Sequence, residues 1–123
     1  MVKLVYCLRR LPNLSCAEFQ SYWRERHGPL VKERATVLGI RRYVQVHTFD
    51  SPLNEALARS RGIVEEPFDG VAEIWWEDMQ AFSGSMGTDE GRRAAQELLD
   101  DERKFIDFAR SVIFVAEEKV FVG

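Results

Sequence analysis

The sequence predicts an α+β protein with a ferredoxin-like βαββαβ order: one four-stranded antiparallel sheet with helices on one of its faces. Three observations predict it. Four stretches rich in β-branched and aromatic residues, Val2–Arg9, Ile40–Phe49, Val71–Trp76 and Ser111–Val122, are separated by segments with helical spacing and marked caps. The helical segments fall after the first and third strands, with a further short one after the second. The chain has 123 residues, no repeat, no low-complexity tract and no linker, which fits one domain over residues 1–123.

The elements follow in order. In the first strand Leu4, Tyr6 and Leu8 share one side, Val5 and Cys7 the other, so both sides are apolar. Leu11-Pro12-Asn13 is a turn. Ser15 and Glu18 then form a capping box, and Leu14 with Phe19 a hydrophobic staple. The helix they open runs to His27, and Gly28-Pro29 reads as its stop. Leu30 to Leu38 resumes helical spacing until Gly39, so the two pieces are expected as one helix kinked at Gly28-Pro29. The second strand separates Tyr43, Gln45, His47 and Phe49 from Val44 and Val46. Asp50-Ser51-Pro52 starts a short exposed helix to Ser60, and residues 62–67 read as loop.

The third strand, Val71 to Trp76, is again apolar on both sides. Glu73 is its anomaly, because a carboxylate in such a strand needs a partner. A short helix over Asp78–Met86 precedes a longer one, capped by Thr88 or Asp89, that reaches about Ile106. Phe108-Ala109-Arg110 connects to the last strand, with a break near Glu117-Glu118. Helices cover one face of such a sheet, yet three strands are apolar on both. A second copy packed sheet to sheet, as a C2 homodimer, is the simplest cover.

Phe19, Trp23 and His27 recur every four residues and so share one helix face. Two aromatics predict that the face is buried; the third position carries a titratable imidazole where the helix is expected to break. The same pattern also fits a histidine that merely caps a helix C-terminus. Other chemistries find little support. A net charge of −3 with mixed signs makes no case for nucleic acid or an anionic membrane. No apolar run approaches the ~20 residues that span a bilayer. The chain enters a strand at once, without a leader, and Cys7 and Cys16 read as reduced thiols, so a cytoplasmic location is expected. A helix N-terminus can acidify a thiol such as Cys16, but no paired base is visible, so a structural cysteine is expected. His27 and His47 have no spacing of a metal site, and phosphate loops, dinucleotide fingerprints and nucleophile elbows are missing, so no metal or cofactor is expected.

Phe19-(x3)-Trp23-(x3)-His27-Gly28-Pro29-Leu30, then Asp69-Gly70-Val71-Ala72-Glu73-Ile74-Trp75, then Phe105-Ile106-Asp107, Arg110-Ser111 and the closing Glu117-Glu118 resemble the EthD domain family, named from ethyl tert-butyl ether degradation. The resemblance covers almost the whole chain. It implies a dimeric α+β barrel, two ferredoxin-like sheets closed on each other. Similar folds include cofactor-free polyketide cyclases, muconolactone isomerase, quinone-forming monooxygenases and haem enzymes, so fold alone decides little. The resemblance implies a pocket inside each monomer with His27 as acid/base and Asp69 or Glu73 as the carboxylate that orients it. Tyr22, Tyr43 and His47 are candidate hydrogen-bond donors, and Trp23, Trp75 and Trp76 candidate walls for a flat ligand. Each has a plain structural reading beside it: tryptophans and tyrosines belong to cores and interfaces, and Glu73 can pair with Arg41 or Arg42. Two functions are expected. One is a small cofactor-free enzyme acting on a hydrophobic, aromatic or polyketide-like small molecule. The other is an accessory protein that holds such a molecule for a partner oxygenase.

Overall fold

The alternating stretches pair into one sheet. The computed structural model describes residues 1–123. Its strands are β1 (Val2–Leu8), β2 (Arg42–His47), β3 (Gly70–Trp76) and β4 (Val112–Ala116), and its helices α1 (Cys16–Tyr22), α2 (Gly28–Leu38), α3 (Pro52–Ser60), α4 (Met79–Ser85) and α5 (Asp89–Glu102). The sheet order is β2-β3-β1-β4, antiparallel throughout, which is the ferredoxin-like arrangement.

Register sorts the side chains into two faces, because directly paired residues point the same way. The inner face, toward α1 and α5, carries the rows Val115–Leu4–Ile74–Tyr43 and Ile113–Tyr6–Ala72–Gln45, with Leu8–Gly70–His47 beyond them. The outer face carries Ala116–Lys3–Trp75–Arg42, Phe114–Val5–Glu73–Val44 and Val112–Cys7–Val71–Val46. On that face Val46, Val112 and Phe114 are exposed.

Ser15 caps α1 as expected: its side chain accepts from the Glu18 N–H, and the Glu18 carboxylate accepts from the Ser15 N–H. Gly28-Pro29 is not a stop. Between α1 and α2 the residues Trp23–His27 form a π-turn, and the Gly28 N–H donates to the carbonyl of Trp23 five residues back. Pro29 falls in the first turn of α2, where its missing N–H costs little. The helix ends at Gly39, whose φ of 71° is the left-handed conformation that glycine adopts freely. The widened turn keeps Phe19, Trp23 and His27 all buried.

At the C-terminal end one boundary differs from expectation, and the last strand stops at its expected break near Glu117-Glu118 without resuming. α5 stops at Glu102, and the chain then turns so that Phe105 and Ile106 enter the core. β4 ends at Ala116, and Val120, Phe121 and Val122 lie exposed. The reason is Glu118. Its carboxylate leaves the strand path to accept from the Trp75 indole at 2.8 Å and to sit 3.6 Å from Lys3.

Leu8, Phe19, Trp23, Ala72, Phe105 and Ile106 form the core between the inner face and α1. The Phe19 ring lies 5.6 Å from both Trp23 and Phe105, within aromatic packing range. Trp23 is seated on Gly70. A Cβ at Gly70 would lie 2.4 and 2.8 Å from two indole carbons and 2.9 Å from the Val46 carbonyl. Gly70→Ala is expected to cost about 2–3 kcal/mol through this overpacking, read as a lowered midpoint in urea denaturation with an unchanged slope.

Candidate functional site

The buried stripe of α1 continues through the π-turn to His27, which is 5% exposed. Its Nδ1 lies 2.8 Å from Oδ2 of Asp101. The other oxygen of that carboxylate, Oδ1, accepts from the Tyr22 hydroxyl at 2.5 Å. One carboxylate thus holds two side chains of the first helical segment. An ionised Asp101 can only accept, so the His27 proton sits on Nδ1 and leaves Nε2 as the basic nitrogen in the neutral ring. No buried side-chain nitrogen or oxygen lacks a partner, and Nε2 has none within the chain, so it is the edge of the ring that meets solvent.

The protonation states follow from these contacts. Burial pushes the His27 pKa below its ordinary value, and the Asp101 carboxylate pulls part of the way back. Burial works to raise Asp101, but the hydrogen bonds from Tyr22 and His27 outweigh it and hold the carboxyl below its usual range. Near neutral pH the pair is therefore a neutral imidazole oriented by a carboxylate, the arrangement of a general base. The Phe105 ring, 5.1 Å away, supports the imidazole from the core.

Further polar groups line the inner face. Glu102, next to Asp101, lies beside the Tyr6 hydroxyl, and burial raises its carboxyl from 4.5 to about 7. Burial and this carboxyl raise Tyr6, while Tyr43 is pushed up to about 12, chiefly by burial. Gln45 joins the remaining members: its Nε2 donates to the Tyr43 hydroxyl at 2.9 Å and to the Trp23 carbonyl at 2.8 Å, and its Oε1 lies 2.8 Å from His47 Nε2. His47 stacks on Trp23 at 4.5 Å between ring centres.

The structure brings five of the expected residues, His27, Tyr22, Trp23, Tyr43 and His47, to the inner side of the sheet. Three others lie elsewhere. Asp69 accepts from Arg10, at 2.5 Å from Nη1 and 2.8 Å from the backbone N–H, and fastens the segment after β1 to the start of β3. Glu73 is on the outer face, paired with Lys3 at 2.5 Å. It did need a partner, but the partner is neither His27 nor Arg41 nor Arg42. Arg41 pairs with Glu77, and Arg42 lies over Trp75. Trp75 is also on the outer face, between Lys3 and Arg42, and walls no inner pocket. Trp76 donates its indole N–H to the Leu38 carbonyl and stacks on Phe82, a packing role. The capping role for His27 also falls, since the helix runs on past it. Cys16 is not acidified: burial, then the nearby Asp69, pushes its thiol up.

Tyr6, Asp101 and Glu102 are the site residues that the sequence reading missed. A signal for Asp101 exists: Ala94, Leu98, Asp101 and Phe105 recur at helical spacing, which places a carboxylate in an apolar stripe. No cluster of three or more His, Cys, Asp or Glu side chains suited to a metal is present, and no helix is long and apolar enough to cross a membrane. Two hollows open on the surface, and neither is lined by His27. One of about 580 Å³ reaches Gly28, Tyr43 and Gln45; the other, of about 810 Å³, lies at α3.

A family model described as the EthD domain matches residues 11–109. Among solved structures, the fold is similar to an ethyl tert-butyl ether degradation (EthD) family protein from Bacillus halodurans, with a TM-score of 0.63, 24% identity, and 97% of this chain and 99% of that one covered. It is similar to a dimeric protein of unknown function and ferredoxin-like fold from Bacteroides fragilis, with a TM-score of 0.59, 8% identity and 95% of each chain covered. It is also similar to SnoaB, a cofactor-independent oxygenase from Streptomyces nogalater, with a TM-score of 0.55, 16% identity, and 98% of this chain and 95% of that one covered. Against curated protein sequences the chain has no match.

The Glu102 carboxyl sets a pH dependence. Its folded pKa is about 7 against an ordinary 4.5, so the folded state holds a proton that the unfolded state releases. The stability it contributes is full below 4.5 and is lost as pH rises to about 7. Glu102→Gln keeps a neutral polar group there. Relative to the parent chain it is expected to gain on the order of 1–2 kcal/mol between pH 4.5 and pH 8, measured by urea denaturation at each pH.

Proposed function

The chain belongs to the EthD domain family, and from that premise we propose that residues 1–123 form one EthD-like domain that acts as a small cofactor-free enzyme on a hydrophobic, aromatic or polyketide-like molecule. The observation that carries the proposal is the 2.8 Å contact between His27 Nδ1 and Asp101, which leaves Nε2 as a neutral base at the solvent edge of the ring. In the proposed step Nε2 takes a proton from an acidic carbon or phenol of the ligand. The electron pair of the broken bond stays on the ligand as an enolate or phenolate, and Asp101 stabilises the imidazolium that forms. Glu102, raised to about 7, would exchange between acid and carboxylate near physiological pH in this reading. The same first step serves isomerisation, ring closure and oxidation, so the reaction class follows from the ligand. SnoaB, of similar fold, is described as a cofactor-independent oxygenase, which fits chemistry of this kind.

One observation favours the second reading, an accessory protein that holds such a molecule for a partner oxygenase. The hollows of about 810 and 580 Å³ are not lined by His27. The test is native mass spectrometry of the protein purified from its own host, followed by solvent deuterium exchange at the acidic position of the retained molecule. As an enzyme, the protein is expected to accelerate exchange, and His27→Asn to slow it about a hundredfold or more. Retention of the molecule without faster exchange assigns the holding role instead.

We also propose that the domain is a homodimer through the outer sheet face, where Val46, Val112 and Phe114 are exposed and no helix lies. The similar Bacteroides fragilis protein is described as dimeric. Light scattering at micromolar concentration is expected to give twice the 14.2 kDa chain mass. Phe114→Glu, which places a charge among the exposed apolar residues of that face, is expected to give the single mass.

A further inference from the structure

The groove of about 810 Å³ at α3 shares no lining residue with the His27 cluster. α3 buries none of its residues, and Leu57, Ile63 and Val112 stand exposed along the groove. An amphipathic helix with an unpacked apolar side implies something apolar against it. The polar feature is Arg9, whose side chain is only 10% exposed. Its guanidinium lies 4.2 Å over the Phe68 ring and donates to the carbonyls of Glu66 at 3.0 Å and Pro67 at 3.3 Å. The one carboxylate near it, Glu65, is 3.9 Å away on a side chain 85% exposed. A buried cation without a close counter-ion calls for an anion. Arg110, which forms no ion pair in the chain, lines the same groove, and its neighbour Ser111 accepts the Arg9 N–H at 3.0 Å.

We propose that this groove binds a small molecule with an apolar body and a carboxylate, the carboxylate on Arg9 and Arg110 and the body along Leu57 and Ile63. The volume lies within the usual range for small-ligand sites. A cation at the buried end with apolar walls leading outward matches the polarity of such a ligand from head to tail. Two guanidiniums suit a planar carboxylate, which takes paired hydrogen bonds from them.

The test is calorimetric titration of the whole protein with decanoate and with 2-naphthoate. Saturable binding of at least one is expected, and the uncharged decanol is expected to bind at least about tenfold more weakly. Arg110→Gln, an exposed change with no partner to lose, is expected to weaken binding about tenfold, and Leu57→Asp to abolish it. His27→Asn is expected to leave binding unchanged, which keeps this result separate from the fate of the His27 site. The proposal is overturned if neither carboxylate binds, if decanol binds as well as decanoate, or if Arg110→Gln has no effect. Binding lost in His27→Asn but kept in Arg110→Gln places the ligand in the other site and also overturns it. So does binding that disappears as protein concentration rises, which would mean that a second copy fills the groove.

Discussion

The seating of the Trp23 indole on Gly70 is the contact on which the rest depends. The indole comes close enough that only a residue without a Cβ allows it. Around Trp23, the Phe19 ring packs toward Phe105 and His47 stacks from the strand side. The turn that follows Trp23 then decides where His27 points. A regular α-turn bonds each N–H four residues back; here the Gly28 N–H reaches Trp23, five residues back, and the same carbonyl also accepts from Gln45. The widening thus ties the helix to β2 and delivers the imidazole to α5.

Two faces of one sheet carry two kinds of polar chemistry. Inside, hydroxyls, an amide, imidazoles and two carboxyls are held at low exposure with burial as the main influence on their protonation. Outside, Lys3, Glu73, Glu118 and Arg42 surround Trp75 with full charges. Within the first set Glu102, raised to about 7, has neutral and charged forms close in free energy near neutral pH. The second set is ionic and cross-strand, and its effect is to keep a tryptophan covered on a face that no helix reaches.

Much of this was legible in local pattern. Strand alternation, the Ser15–Glu18 box and the Phe19–Trp23–His27 spacing each depend on residues within a few positions, and each appears where the spacing places it. What was illegible depends on residues far apart. Asp101 and His27 are 74 positions apart, and nothing near His27 marks that carboxylate rather than Asp69 or Glu73. Glu73 stood out as a carboxylate in need of a partner, but Lys3 comes from the neighbouring strand, 70 positions away. At Gly28-Pro29 the helical spacing resumed at Leu30 correctly joins the two pieces into one run, but the π-turn at Trp23–His27 that joins them leaves no mark in composition.

The sheet order has a consequence for how the chain is made. β1 precedes the other three strands in the chain, yet it lies between β3 and β4, and β4 ends at Ala116. It therefore waits longer for its second neighbour than β3 does. Until residue 116 has emerged, Val5 and Tyr6 have an unpaired edge, and until Asp101 has emerged the His27 imidazole has no carboxylate. Long-range pairing of this kind delays folding and leaves apolar strands open in the interval.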